Sequence, residues 1–230
     1  MHPIRVRTSH QQQTFLSHGK SIPIEVFAPA TPGRHAALVV LHGPGGYRDF
    51  SDLAHLITAH NYAVFAPHYF ESTATAWASG PDIARHALTW AAVVQDAISF
   101  AAQQSFVDSS RTAVIGFSLG AYLAVGVAAQ DERVRAVVEF FGGVPAPLAP
   151  FIRRLPPTLI LHGEADSVVP LRESLRLQQL CRERNVCVEV ETYPGVGHHF
   201  PPEIMERATH RALRFLDEHL NAAQKTKQPA

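Results

Sequence analysis

Residues 111–130 read RTAVIGFSLGAYLAVGVAAQ, and within them Gly116-Phe117-Ser118-Leu119-Gly120 has the form G-x-S-x-G. Five such letters arise often by chance, because glycine and serine are common residues. Their meaning rests on what flanks them. TAVIGF, before the serine, is a β-branched apolar run of strand type, and LGAYLAVGVAAQ, after it, is alanine-rich and helical. Glycines on both sides let the chain reverse sharply from strand to helix without a Cβ clash, so that Ser118 projects from a sheet edge. Leu119 then opens the helix, where backbone N–H groups are unpaired and carry partial positive charge.

Working outward, the same alternation runs along the chain. IPIEVFAP (22–29) alternates apolar and polar residues like a strand with one wet face. AALVVLHG (36–43), YAVFAPH (62–68), RTAVIGF (111–117), RVRAVVEFFGG (133–143) and TLILHG (158–163) are nearly continuous apolar runs, and VCVEVETYPG (186–195) is the last strand. Continuous runs imply strands covered on both faces. Helical stretches fall between them at about 49–60, 82–105, 119–130, 171–184 and 202–221. Strands alternating with helices predict an α/β fold with a mostly parallel central sheet and helices on both faces. No internal repeat or linker interrupts this, so one domain is expected over 21–220, with an N-terminal segment at 1–20 and a polar tail at 221–230. The proline-rich stretch 142–158 reads as a connector or as part of a substrate wall, and 143–157 is the one clear candidate for a lid.

Composition narrows the partners. The 230 residues carry 20 Lys plus Arg and 20 Asp plus Glu, so no net field favours nucleic acid or an anionic membrane. The start lacks an apolar leader and no stretch is long enough to span a bilayer, which points to a cytoplasmic protein. Its partner is expected to be a small molecule, with a homodimer as the one protein association allowed. Cys181 and Cys187 lack redox spacing and read as reduced packing residues.

A serine hydroxyl is a weak nucleophile at its free pKa and needs a base held by an acid. Asp166 follows the strand TLILHG in LHGEADSVVP, and His198 follows the last strand in YPGVGHHF. The order serine, acid, histidine, with the partners in loops after later strands, is that of an α/β-hydrolase. Glu164 and His199 are the neighbouring competitors for these roles. Besides Leu119, a second oxyanion donor is expected in HGPGGY. Pro44 has no N–H, which favours Gly45 and leaves Gly46 and Tyr47 as alternatives. Tyr47, with His68, Tyr69 and Trp77 of PHYFESTATAW (67–77), is a candidate for the substrate pocket. Despite 14 histidines there is no H-E-x-x-H, and HGPGGY lacks the Lys-Ser/Thr of a phosphate loop. No metal or cofactor is expected.

The segments LHGPGGY, GFSLGAYLA, LHGEADSVVP and YPGVGHHF together resemble the oxyanion, nucleophile, acid and base segments of the dienelactone hydrolase family, across roughly residues 20–220. The resemblance implies Ser118, Asp166 and His198 as a catalytic triad. The named dienelactone hydrolases use cysteine at the elbow and a glutamate near the first strand. In this chain serine stands at the elbow and VVLHGPGG holds no acid, so it looks more like the family's general esterases. The expected activity is hydrolysis of a carboxylic ester or lactone. The alternatives are a peptidase or amidase of prolyl-oligopeptidase-like type, or a non-catalytic binding protein on the same fold.

Overall fold

The computed structural model describes residues 9–47 and 50–221. Eight strands form one sheet: β1 (Ser9–Ser17), β2 (Lys20–Ala28), β3 (His35–Leu41), β4 (Tyr62–Pro67), β5 (Val107–Phe117), β6 (Val134–Phe140), β7 (Thr158–Gly163) and β8 (Val188–Tyr193). Their spatial order is β1-β2-β4-β3-β5-β6-β7-β8. The first two strands pair antiparallel with each other and β2 pairs antiparallel with β4. From β4 to β8 every neighbouring pair is parallel. A parallel sheet brings the carboxyl ends of its strands to one edge, and that edge carries the site described below.

Among the described residues five α-helices cover the sheet: α1 (Ser51–Ala59), α2 (Gly80–Ala102), α3 (Leu119–Ala128), α4 (Arg172–Glu183) and α5 (Pro202–Leu220). Along β5 the side chains alternate between two cores. Val114 joins Trp90, Val93 and Val94 of α2 and Leu123 of α3 on one face. Ala113, Ile115 and Phe117 join Ala54 and Ile57 of α1 and Leu213, Phe215 and Leu216 of α5 on the other. Over residues 112–117 both faces are dry, which is why that part of the strand reads as a nearly continuous apolar run, whereas the polar residues 108–111 before it are exposed or half-buried. Helix α3 is buried along almost its whole length, so its sequence is apolar all round.

Helix α2 opens two residues earlier than its periodicity predicts. The Ser79 side chain accepts the N–H of Asp82 and the Asp82 side chain accepts the N–H of Ser79, a reciprocal cap that satisfies two of the first turn's unpaired donors.

Three expectations need correction. Strand β1 takes in Ser9–Ser17, so residues 9–20 of the expected N-terminal segment belong to the domain, and residues 1–8 lie outside the described residues. As an edge strand β1 buries only Phe15 and Ser17, and SHQQQTFLS carries no apolar alternation to reveal it. The stretch 142–158 holds a single helical turn at Ala149–Phe151 and packs Val144, Ile152 and Leu155 into the core, and the cleft residues do not come from 143–157. A connector anchored by buried aliphatic side chains is not free to act as a lid. Of the cysteines, Cys181 is buried and Cys187 is exposed, so only the first packs. The predicted tail lies outside the described residues apart from Asn221. Among the described residues no helix is long and apolar enough to cross a membrane.

Candidate active site

At the end of β5 the chain turns through Ser118, whose φ is 53° and ψ −116°. A non-glycine residue held there is strained by on the order of 1–3 kcal/mol, and the surroundings must over-determine it. They do. Its N–H donates to Phe140 O at 3.0 Å, and its carbonyl accepts the N–H groups of Ala121 and Tyr122 at 2.9 and 3.3 Å. The flanking glycines permit the packing: a Cβ on Gly116 would lie 2.2 Å from Gly120 O, and one on Gly120 would lie 2.4 Å from Leu41 O.

Asp166 sits in the turn after β7. Its Oδ1 accepts the N–H groups of Val168 and Val169 at 2.8 and 2.9 Å, which fixes the carboxylate and aims Oδ2 at His198. His198 lies in the loop after β8, with Nδ1 2.7 Å from Asp166 Oδ2 and Nε2 3.0 Å from Ser118 Oγ. The Phe141 ring meets the imidazole edge to face at 4.8 Å. Three residues from three loops thus form one line of hydrogen bonds. With Asp166 accepting from Nδ1–H, the neutral imidazole presents a lone pair on Nε2 to the serine hydroxyl. Glu164, the competing acid, accepts from Thr192 Oγ1 at 2.7 Å on the surface, and His199 is exposed at the cleft wall.

The loop after β3 forms the opposite rim. Gly46, at φ +75°, donates its N–H to Gly43 O at 3.3 Å, closing a turn over Pro44 and Gly45. Behind it His42 is buried, with Nδ1 2.8 Å from Gly43 O and its ring stacked on Tyr69 at 3.9 Å. Burial pushes the His42 imidazole down to about 4, so it is neutral and serves as packing for the loop.

Of the four pocket candidates, Trp77 lines the cleft and is 61% exposed. Tyr69 does not line it. That side chain is fully buried and donates its hydroxyl to His42 O at 2.6 Å, because a phenol under the loop must pair its O–H. His68 also turns away, placing Nε2 3.2 Å from Glu25 Oε1, and Tyr47 stacks on it at 4.2 Å. A buried carboxylate needs such partners, and Glu25 on β2 draws His68 to itself. The walls instead come from Phe50, Leu53 and Leu56 around α1, Phe141 after β6, Val168 in the acid loop and Met205 of α5. Sequence pattern does not single these out. Phe141 carries a signal in its place just past a strand end, whereas those on helices have none beyond ordinary amphipathicity.

One group of metal-competent side chains occurs among the described residues: Cys187, Glu189 and His219, at the opposite end of the sheet. Glu189 is already paired there with Arg211.

Residues 22–226 match the Dienelactone hydrolase family. The esterase YjfP of Escherichia coli is 30% identical over 155 residues, which cover 52% of this chain and 61% of that protein. A carboxymethylenebutenolidase homolog of Xenopus tropicalis is 26% identical over 192 residues, 74% of this chain and 75% of the relative. The matched stretch spans under two-thirds of the length of the first curated relatives. Among solved structures, a dienelactone hydrolase-like promiscuous phosphotriesterase from metagenomic libraries superposes with a TM-score of 0.81 at 18% identity, over 92% of this chain and 98% of that one, a likeness of fold. With the family match running over nearly the whole described chain, the protein belongs to the dienelactone hydrolase family and has the α/β-hydrolase fold.

Proposed function

We propose that this protein hydrolyses small carboxylic esters or lactones through a serine acyl-enzyme. The reading rests on one observation, the line Ser118 Oγ–His198 Nε2 and His198 Nδ1–Asp166 Oδ2 at 3.0 and 2.7 Å at the floor of a cleft. Ser118 Oγ attacks the carbonyl carbon as its proton passes to His198 Nε2, and Asp166 holds the imidazolium that forms. The oxyanion is bound by the N–H of Leu119, at the start of α3, and by that of Gly45. The N–H of Gly46 is turned back to Gly43 O, which leaves Gly45 as the donor from the loop glycines. One such donor is worth ~2.7–4 kcal/mol in the transition state. His198 then protonates the leaving alkoxide, the alcohol departs, and water deprotonated by the same base hydrolyses the acyl-enzyme to a carboxylic acid.

The cleft favours an uncharged acyl group. Its walls are apolar, the carboxylates of Asp52 and Glu206 line it, and no lysine or arginine does so among the described residues. Desolvating a substrate carboxylate there would find no lysine or arginine among the described residues to offset the cost.

Purified protein mixed with p-nitrophenyl butyrate should release a burst of about one p-nitrophenolate per subunit before the steady state, the mark of acyl-enzyme accumulation. The hemisuccinate ester should react at least about tenfold more slowly, and a p-nitroanilide more slowly still. Anilide turnover equal to that of the ester would favour the peptidase reading. No turnover of either, with ligand binding retained, would favour the binding protein.

Asp166→Asn should lower kcat by about 10⁴-fold, because asparagine can donate to Nδ1 and so hold the wrong histidine tautomer. A fall of less than tenfold, in a variant with unchanged unfolding midpoint, would remove Asp166 from the triad.

A further inference from the structure

Behind Asp166 lies a second string of polar groups that take no part in the acyl-transfer steps. Glu139 is the one acid in the run RVRAVVEFF. It is fully buried on β6, as are Ser174 of α4 and His162 of β7. Glu139 Oε2 accepts the N–H of Gly142 at 2.6 Å. Ser174 Oγ lies 2.6 Å from Glu139 Oε1, 2.7 Å from His162 Nδ1 and, at a longer 3.3 Å, from Gly142 O. His162 Nε2 lies 2.8 Å from Val169 O and 3.4 Å from Asp166 Oδ2.

Counting protons decides what this string is. Val169 O and Asp166 Oδ2 are both acceptors, so His162 must carry its hydrogen on Nε2. A neutral His162 then has a bare Nδ1, which can only accept, and the Ser174 hydroxyl is the donor facing it. With its single hydrogen spent on His162, Ser174 Oγ can only accept from Glu139, so Glu139 Oε1 must carry a proton. The other arrangements have Ser174 donating to a Glu139 carboxylate or to the more distant Gly142 O, and either requires a cationic His162 to donate Nδ1–H to Ser174. That would set a positive charge beside the imidazolium formed on His198 during the reaction. It would also bury a carboxylate that pairs with no lysine or arginine among the described residues.

We infer that Glu139 is a positioning residue whose buried carboxylic acid proton, relayed by Ser174, keeps His162 neutral and holds the turn that grips Asp166. This rests on the triad reading. His162 acts through Val169, whose N–H, with that of Val168, orients the Asp166 carboxylate. Burial favours the same proton distribution, raising Glu139 from the usual 4.5 to about 7 and lowering His162. The other titratable groups that feel the Glu139 charge are Tyr122 of α3 and Cys181 of α4. Burial is the main cause of the rise in Tyr122, Glu173 of α4 and Asp166 add to it alongside Glu139, and Arg176 opposes them. Loss of the Glu139 proton as the pH rises through about 7 leaves Ser174 donating to the carboxylate and breaks its bond to the bare Nδ1.

Glutamine reproduces the protonated state, since its amide N–H can donate to Ser174 and its carbonyl can accept from Gly142, and it cannot ionise. The kcat ratio of Glu139→Gln to wild type on p-nitrophenyl butyrate should be near one in acid and rise on the order of tenfold as the pH is raised through neutrality, with KM little changed. Glu139→Leu should be impaired at every pH. A pH-independent ratio, or Glu139→Gln as impaired as Glu139→Leu, would overturn the proposal. Infrared titration of the Ser118→Ala protein gives a readout that needs no turnover. A protonated-carboxyl C=O band should disappear as the pH rises through neutrality and be absent when Glu139→Gln is added. Absence of that band before the addition would overturn the proposal even if the triad stands. Its presence in a protein lacking esterase activity would place the failure in the triad reading.

Discussion

Ser118→Ala is expected to lower kcat/KM for p-nitrophenyl butyrate by roughly 10⁴–10⁶-fold and to leave the unfolding midpoint almost unchanged. The two parts of this result have separate origins. Ser118 Oγ is the nucleophile hydrogen-bonded to His198 Nε2, so removing it leaves what the backbone donors and the bound geometry contribute to direct attack by water. Alanine keeps the Cβ, so the strain of φ 53° and the backbone bonds to Phe140, Ala121 and Tyr122 are carried over unchanged. The fold loses one hydrogen bond, worth about 1 kcal/mol or less. Stopped-flow kinetics and urea unfolding on the same preparation test both parts. A variant that retains activity within tenfold of the wild type would rule out the serine acyl-enzyme.

Gly116→Ala and Gly120→Ala should each destabilise the protein by roughly 3–5 kcal/mol, at the high end of overpacking effects. The added methyl meets backbone, which cannot rotate away. On Gly116 it would lie 2.2 Å from Gly120 O and 2.6 Å from Ala121 Cα, and on Gly120 it would lie 2.4 and 2.5 Å from Leu41 O and His42 O. Relief requires α3 to withdraw from β3 and β5, which opens the elbow and draws Leu119 N–H away from the oxyanion. Gly80→Ala is the control, since nothing lies within 4 Å of its added Cβ, and it should stay within about 0.5 kcal/mol of wild type. Urea midpoints for the elbow variants that match the control would mean that the turn relaxes more freely than its contacts imply.

The elbow is legible without coordinates because each of its requirements is local. A β-branched run, two glycines around a serine and an alanine-rich helix are adjacent in the chain, and their geometry follows from φ/ψ sterics and side-chain period. The parallel sheet is legible for a similar reason, since both faces of β5 are dry over residues 112–117 and that part of the run is almost wholly apolar. Strand β1 is not, because an edge strand with one wet face draws its stability from main-chain pairing with β2, and pairing leaves little mark on side-chain pattern. Tyr69 and His68 fail as pocket residues for another reason. Their place beside a strand end is visible, but a fully buried phenol and a buried Glu25 impose hydrogen-bonding needs that depend on neighbours far away in the chain. The same holds for Glu139. Its position in an apolar run marks it as unusual, yet its proton is assigned only by the geometry of Ser174, His162 and Val169.

Element type, element order and the identity of Ser118, Asp166 and His198 as candidates are therefore written in the order of residues along the chain, through periodicity and turn chemistry. Their meeting within hydrogen-bond reach is not. Ser118 and His198 are 80 residues apart in sequence, and their 3.0 Å separation depends on the stagger of β5, β7 and β8 and on the packing of loops over Gly163 and Phe141. The same holds for the apolar walls of the cleft and for the buried string behind Asp166. Local sterics act between neighbours in the chain, whereas desolvation and hydrogen-bond satisfaction act between neighbours in space, and only folding makes those the same.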